Sequence, residues 1–172
     1  MPMRAALSAG LVAAAQRDAR VVLLTGDHGY ALFDDFRRLC PSQYLNAGIA
    51  EQNMIGVAAG MSAVGKIPFV HSFGPFVSRR VYDQVFLSCA YSKLNVKIIG
   101  SDPGATAAYN GGTHMPFEDM GILRVCPTIT LVEPSDPVQL ENILPQIIDT
   151  YGTVYIRLMR KNPFSVYEQG ST

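Results

Sequence analysis

The chain has 172 residues, of which 48% are apolar and 16% are charged. That length suits one ordinary α/β domain, and the apolar fraction argues against a disordered chain. Lys plus Arg equal Asp plus Glu, 14 against 14, which excludes the basic excess typical of proteins that bind nucleic acids or anionic membranes.

Apolar spacing and turn residues predict helices and strands that alternate along the chain. The first half is predicted to contain a helix over 3–17, a strand over 21–26, a helix over 33–40, a strand over 44–48, a helix over 51–65, a strand over 67–72, a helix over 79–93 and a strand over 95–101. A long loop over 102–117 follows, then a helix over 118–126, a strand over 128–133, a helix over 136–149 and a strand over 153–159. This alternation predicts an α/β fold with a single doubly wound, mostly parallel sheet and helices on both faces. We expect one domain over residues 1–165 and a tail over 166–172.

The cysteines and the apolar runs indicate the environment of the protein. Cys40, Cys89 and Cys126 are an odd number without metal-ligand spacing, which predicts reduced, packed thiols. The apolar runs are shorter than the ~18 residues that a transmembrane helix needs, and the Ala-rich N-terminus is interpreted as the first helix. We therefore expect a cytoplasmic protein that binds neither a membrane nor nucleic acid.

The segments that follow the predicted strands are rich in Gly and polar residues. They are GDHG, AGIAE, SFGPF, GSDPGATAAYNGGTHM and, after the last strand, RLMRKN. Ligands of open α/β sheets bind beyond the carboxyl ends of the strands. All five segments are therefore predicted to lie at one ligand-binding edge.

Glu51 is a carboxylate in an almost uncharged run, LNAGIAEQNMIGVAAGM. Drawing such a group out of water costs several kcal/mol unless the group is paired or protonated. One interpretation is an acid in a first helical turn, which the helix dipole stabilises by less than ~1 kcal/mol. The other interpretation is a buried acid that shares its proton with a ligand nitrogen. The residues alone leave both open.

Two aromatic residues and a histidine in the ligand-edge loops are further candidates. Phe73 and Phe76 are three apart, a spacing that is usually explained by core packing. Because Gly74 and Pro75 turn the chain between them, the two rings could instead stack on a flat heteroaromatic ligand. His114 follows two glycines, and a histidine in such a loop is a candidate for general acid catalysis or substrate hydrogen bonding.

These segments, in this order, resemble the pyrimidine-binding domain of transketolase-like thiamine diphosphate enzymes. The matching pieces are VVLLTGD, LNAGIAEQNMIGVAAGMSAVGKIPFVHSF, RRVYDQV, LNVKIIGSD, GGTH, ED, LR and TITLVEPSD. The resemblance covers nearly the whole chain and is most specific at GIAEQNM. The chain is similar to the short C-terminal subunits of split, two-chain transketolases. Deoxyxylulose phosphate synthase and the β subunits of 2-oxo acid dehydrogenases share the same domain.

The resemblance implies a set of cofactor-binding residues. Glu51 matches the glutamate that hydrogen-bonds N1′ of the cofactor's aminopyrimidine and favours the 4′-imino tautomer, whose nitrogen removes the thiazolium proton. Phe73 and Phe76 match the aromatic segment that packs on the pyrimidine, with Phe76 favoured as the stacking residue. Tyr82, in YDQ, is expected to bind the cofactor as well.

The resemblance also implies substrate-binding residues. His114 matches the histidine of a THQ motif that contacts substrate near the reacting carbon, and Arg160 matches an arginine that holds a substrate phosphate. The family's THD is GSD here, so a phosphate-binding histidine is lost beside Asp102. The family's GEDGPTH is AYNGGTH, so a sugar-binding acid becomes Asn110. Asp102 and Asn110 remain substrate-binding candidates, and whether the substrate is phosphorylated stays open.

The family's GDG…N domain, which supplies the Mg²⁺ and diphosphate site, is not matched in this chain. We therefore expect thiamine diphosphate to be shared with a partner subunit that also holds the Mg²⁺, in a homodimer or heterotetramer that acts on a ketose or 2-oxo acid. This chain is then inactive alone. The alternatives are a β-type subunit of a 2-oxo acid dehydrogenase, a deoxyxylulose phosphate synthase-like enzyme, and a non-catalytic assembly module that keeps the fold.

Overall fold

A computed structural model describes residues 2–27, 31–160, 165–168 and 170. The strands are β1 Val21–Thr25, β2 Tyr44–Asn46, β3 Ile67–Phe73, β4 Lys97–Ser101, β5 Ile129–Val132 and β6 Thr153–Leu158. They form one sheet in the order β2-β1-β3-β4-β6-β5, and every pair of neighbours is parallel. The predicted doubly wound parallel sheet is confirmed. The chain changes direction across the sheet between β1 and β3, so the carboxyl ends of these two strands mark the expected ligand crevice.

Helices cover both faces of the sheet. They are α1 Met3–Arg17, α2 Asp34–Leu39, α3 Glu51–Ala63, α4 Tyr82–Gln84, α5 Asp119–Arg124 and α6 Pro137–Asp149. One apolar layer joins α1, α2 and α6 to the sheet, and the other joins α3, α5 and the segment after α4. Because successive strand residues point to opposite faces, Leu23 lies in the first layer and Leu24 in the second.

The predicted helix over 79–93 is the main difference between expectation and structure. It consists of a 3₁₀ turn Arg79–Val81, the short α4, and π-helical turns Val85–Tyr91. A π turn holds more residues than an α turn, and Cys89 and Ala90 in this segment are both buried. Helical periodicity in the sequence does not reveal this widening, because packing against the rest of the fold decides it.

Three smaller expectations concern the cysteines, the membrane and the C-terminal segment. Cys40, Cys89 and Cys126 are free and buried, as predicted. Among the described residues, no helix has the length and apolar character needed to cross a membrane. Parts of GDHG and RLMRKN lie outside the described residues. The boundary after residue 165 stays a prediction, because residues 161–164 also lie outside them.

Candidate active site

Glu51 lies at the start of α3, next to the carboxyl end of β1. Asn46 fixes the preceding turn, because its Oδ1 accepts hydrogen bonds from the backbone N of Gly48 at 2.9 Å and of Asp27 at 3.2 Å. Gly48 has φ 70°, a conformation that residues with a side chain rarely adopt. Glu51 begins the buried stripe of α3 and is only 4% exposed. The expectation that this carboxylate is drawn out of water is confirmed.

Arg80 is the ion-pair partner of this buried carboxylate. Its Nη1 lies 3.2 Å from Oε2 of Glu51. The guanidinium carbon of Arg80 also lies 3.7 Å from the centroid of the Phe76 ring, which places the planar cation over the aromatic face. Pairing offsets part of the cost of removing the Glu51 charge from water.

Phe73, Phe76 and His114 form an aromatic cluster next to this ion pair. The centroids of Phe73 and Phe76 are 5.8 Å apart, and the His114 ring lies 5.1 Å from Phe73 and 4.9 Å from Phe76. All three contacts have edge-to-face geometry, which aromatic rings prefer over a face-to-face sandwich. Residues from the predicted helix start, the third strand end and the long loop therefore meet at one point.

The loop that carries His114 approaches β3 closely because Gly74 has no side chain. A Cβ atom at Gly74 would lie 2.6 Å from Cγ of Pro116, a distance that atoms in proteins do not tolerate. Arg79 holds the same loop from the other side through its ion pair with Glu118 at 2.6 Å. Its Nη2 also donates to the backbone O of Gly112 at 3.0 Å. The adjacent Arg79 and Arg80 thus hold the histidine loop and Glu51, respectively.

A second polar cluster surrounds Asp102, directly after β4. Its Oδ2 accepts hydrogen bonds from Nη2 of Arg4 at 3.2 Å and from Oγ of Ser101 at 3.0 Å. Nη1 of Arg160 lies 3.9 Å from Oδ1. Asp102 is fully buried and has φ 62°, an unusual conformation of the kind often found at functional sites.

This second cluster places two cations beside two carboxylates. Arg4 and Arg160 face Asp102, and Asp27 lines the same cavity. Burial lowers the pKa of the Arg4 guanidinium, Asp102 opposes this change, and Arg160 adds to it. A cavity of about 190 Å³ lies here, lined by Arg4, Asp27, Leu32, His71, Phe73, Ser101 and Arg160. Since Phe73 also belongs to the aromatic cluster, the two clusters are neighbours, and the guanidinium groups of Arg4 and Arg160 bring hydrogen-bond donors to this cavity.

Tyr82 and Asn110 are placed differently from the other candidates. The hydroxyl of Tyr82 lies 3.4 Å from Sγ of Cys126, and its ring stacks with Phe86 at a centroid distance of 6.3 Å. Asn110 is exposed at the end of a 3₁₀ turn, where its backbone O accepts a hydrogen bond from Thr113 at 3.4 Å. Their assignments as cofactor-binding and substrate-binding residues stay predictions.

Sequence reasoning assigned no role to Arg4 or Arg80. Arg4 carried one signal, because a cation in the first turn of a helix is disfavoured by the helix dipole and so needs another reason to be there. Arg80 is the second of two adjacent arginines in RRVYDQV. The sequence does not distinguish them, and only the folded structure shows that they have different partners. The described residues contain no group of three or more His, Cys, Asp and Glu side chains arranged to hold a metal ion.

Comparison with known proteins gives a consistent result. Residues 1–164 match the family described as transketolase, pyrimidine binding domain. The chain is 53% identical over 148 residues to the 6-deoxy-6-sulfo-D-fructose transketolase subunit SqwH of Clostridium sp. (strain MSTE9), which covers 86% of this chain and 46% of that protein. It is 35% identical over 159 residues to an apulose-4-phosphate transketolase subunit of Phocaeicola vulgatus, covering 92% of this chain and 51% of that protein.

Solved structures share the fold. A split gene transketolase, described as an inactive beta4 tetramer, matches with a TM-score of 0.89 and 35% identity, covering 99% of this chain and 56% of that chain. A transketolase from Leishmania mexicana matches with a TM-score of 0.84 at 20% identity, covering 99% of this chain and 27% of that chain, and shows the fold alone. The chain spans about half the length of the subunits that it matches.

Proposed function

We propose that this chain, which belongs to the family of transketolase pyrimidine-binding domains, supplies the pyrimidine half of a thiamine diphosphate site that transfers a two-carbon ketol unit. The observation that carries the proposal is the placement of Glu51. A carboxylate that is 4% exposed opens a helix beside Phe76 and the Phe73–His114 pair. A structural acid in a first helical turn needs no such surroundings.

The residues around Glu51 fit an aminopyrimidine ring. The Arg80 guanidinium is flat, carries N–H groups, stacks on Phe76 at 3.7 Å and donates to Glu51 at 3.2 Å. Glu51 and Phe76 therefore form a surface that accommodates a planar nitrogen-containing group, with one edge hydrogen-bonded to the carboxylate. Thiamine diphosphate, when bound, supplies the carbanion-stabilising chemistry that amino acid side chains lack.

The roles of the protein residues follow from this placement. Glu51 would hold a ring nitrogen and share a proton with it, in a buried setting that strengthens the hydrogen bond. Phe76 would pack against the ring face, and Phe73 would fix the orientation of Phe76. His114, which touches both rings, would contact the substrate near its reacting carbon. Its Nδ1 lies 2.9 Å from the Thr113 hydroxyl, which orients the imidazole.

We propose that the substrate is a ketose with an anionic group at the end remote from the reacting carbon. Arg4 and Arg160 supply two guanidinium groups to the cavity beside Phe73, where Asp102 and Asp27 balance their charge. A guanidinium fork suits the geometry of phosphate and of other oxyanions. The names of two relatives include a sulfo group and a phosphate, respectively, which supports an anionic substrate for this chain too. Asp102 would position both arginines.

The proposal includes a separate partner chain that binds the diphosphate and Mg²⁺. Two relatives are named as subunits of transketolases, and the matching split gene transketolase tetramer is described as inactive. We therefore expect no ketol transfer from this chain alone.

The test is to combine the chain with candidate diphosphate-binding subunits, thiamine diphosphate and Mg²⁺, and to follow ketol transfer. Glu51→Gln keeps the shape of the side chain but removes the proton-sharing carboxylate, and should lower turnover by about 10²–10⁴-fold. Glu141→Gln, at an exposed position of α6, is the matched control and should leave turnover unchanged.

The products separate the remaining alternatives. Ketose phosphates, ketose sulfonates and hydroxypyruvate as donors are expected to yield ketol transfer, whereas acyl transfer from pyruvate would point to a 2-oxo acid dehydrogenase or synthase-like enzyme. Unchanged turnover in Glu51→Gln would favour a non-catalytic assembly module. Activity of the chain without any partner would contradict the shared site.

A further inference from the structure

Arg80 makes two contacts at once, and they are the same two that an aminopyrimidine is expected to make. Its guanidinium lies 3.7 Å from the centroid of Phe76 and 3.2 Å from Oε2 of Glu51. A guanidinium and an aminopyrimidine are both flat and both present N–H or nitrogen groups at their edge. A ring stacked on this face of Phe76 and bonded to Glu51 would occupy the volume that the guanidinium now fills.

Of Glu51, Phe76 and Arg80, Arg80 has the side chain that can move into solvent. Phe76 is only 8% exposed and Glu51 only 4%, whereas the side chain of Arg80 is 44% exposed. The backbone of Arg80 is tied to α3 by a hydrogen bond from Nε2 of Gln52 to its carbonyl, at 3.4 Å. Rotation of the side chain alone therefore moves the guanidinium into solvent while the main chain stays in place.

Arg79 shows that this arrangement is particular to Arg80. Although it is the next residue and similarly exposed, Arg79 holds Glu118 and the backbone O atoms of Gly112 and Thr113 at 2.6–3.2 Å. Those partners belong to the loop that carries His114. Releasing Arg79 would loosen that loop, whereas releasing Arg80 would uncover Glu51 and Phe76.

We propose that Arg80 is a placeholder for the aminopyrimidine: in the unloaded chain it neutralises Glu51 and covers Phe76, and it must swing out before the cofactor ring can enter. This inference rests on the proposed function. It has two consequences. First, Arg80 stabilises the unloaded protein. Second, it competes with the cofactor, so the apparent affinity for thiamine diphosphate is lower than it would be without the Arg80 guanidinium on Glu51 and Phe76.

The first test measures cofactor binding to the complex of this chain with its diphosphate-binding partner, by calorimetry in the presence of Mg²⁺. Arg80→Met keeps the aliphatic stem but removes the planar cation, and should bind thiamine diphosphate about fivefold more tightly than the wild type. Arg38→Met, at an exposed arginine that pairs with Asp35 on α2, is the matched control and should bind like the wild type.

The outcomes of this measurement separate the two proposals. Unchanged or weaker binding by Arg80→Met overturns the placeholder, and a clear loss of affinity would make Arg80 part of the loaded site instead. Both of these results leave the proposed function standing if Glu51→Gln still lowers turnover. No binding of thiamine diphosphate by the wild-type complex overturns the proposed function and the placeholder with it.

A second test needs no cofactor. In the unloaded chain, urea unfolding of Arg80→Met, Glu51→Gln and the double variant should be non-additive, because the residues contact each other. Additive changes in the free energy of unfolding would overturn the proposal that Arg80 neutralises Glu51 in the unloaded chain. Should Arg80→Met fail to fold, Arg80→Lys keeps the charge without the planar fork and should still bind the cofactor more tightly than the wild type.

Discussion

Gly100 tests how tightly the sheet is packed beneath the site, because an added methyl group has no room there. Gly100 lies in β4, two residues after Ile98, whose partner in β6 is Tyr155. A Cβ atom at Gly100 would lie 2.2 Å from the hydroxyl of Tyr155 and 2.8 Å from its Cζ. The Tyr155 ring cannot move aside easily, because it is fully buried and its hydroxyl donates to Oδ2 of Asp119 at 2.8 Å.

The expected cost of Gly100→Ala combines two effects. Forcing extra atoms into a well-packed core costs about 1–3 kcal/mol. When the Tyr155 ring is displaced, the buried Asp119 also loses the hydrogen bond from its hydroxyl, which costs about 1–3 kcal/mol more. We therefore expect the free energy of unfolding to fall by roughly 2–6 kcal/mol. With a urea m-value of about 2 kcal/mol per M, the midpoint should drop by at least about 1 M.

Urea unfolding followed by far-ultraviolet circular dichroism measures this shift. Gly60→Ala is the matched control, because a Cβ atom there meets no atom within 4 Å and lies inside α3. It should raise the free energy of unfolding by about 0.5–1 kcal/mol. Tyr155→Phe removes the nearest atom, so Gly100→Ala should cost less in that background. Equal costs in both backgrounds, or no destabilisation at all, would refute the steric argument.

This packing also explains one departure from the family pattern. Where the family has the threonine of THD, this chain has Gly100. The Cβ atom of a threonine at this position would clash with the Tyr155 hydroxyl, so the placement of Tyr155 requires a residue without a side chain at position 100. The serine that follows, Ser101, hydrogen-bonds Asp102 and lines the cavity beside Arg4 and Arg160.

Two further predictions concern the dependence of stability on pH. Burial lowers the pKa of Lys97 to about 8, so above that pH the unfolded chain binds more protons than the folded chain. The free energy of unfolding of the wild type, relative to that of Lys97→Met, should therefore rise by about 1 kcal/mol from pH 8 to 9. Urea midpoints that change in parallel for the two proteins would contradict this. Hydrogen bonds to Asp136, first from the backbone N of Gln139 and also from Val166 and Tyr167, lower its pKa below 3.8. The contribution of Asp136 to the free energy of unfolding is therefore present at neutral pH and is lost as the pH falls through the folded-state pKa. Asp136→Ala should therefore have a lower thermal midpoint than the wild type at pH 7, with the difference shrinking below pH 4; a difference that does not depend on pH would count against it.

The elements that the sequence predicted well are those whose signal is local. Strand and helix positions follow from apolar spacing, and the strand bounds differ from expectation by at most two residues at either end. The prediction for the segment over 79–93 was less accurate, because its π-helical turns depend on what packs against Val85 and Cys89. The burial of Glu51 was predicted from the position of a carboxylate in an apolar run, and the structure confirms it.

The sequence by itself determined the fold class and the identity of the buried acid, because periodicity, turn residues and short motifs express local preferences. Only the tertiary structure decided which side chains meet that acid and which meet Asp102. Arg80 reaches Glu51 across 29 positions of sequence, and Arg4 reaches Asp102 across 98. Contacts of that kind depend on the order of the strands and on the packing of helices upon them, which no short stretch of sequence specifies.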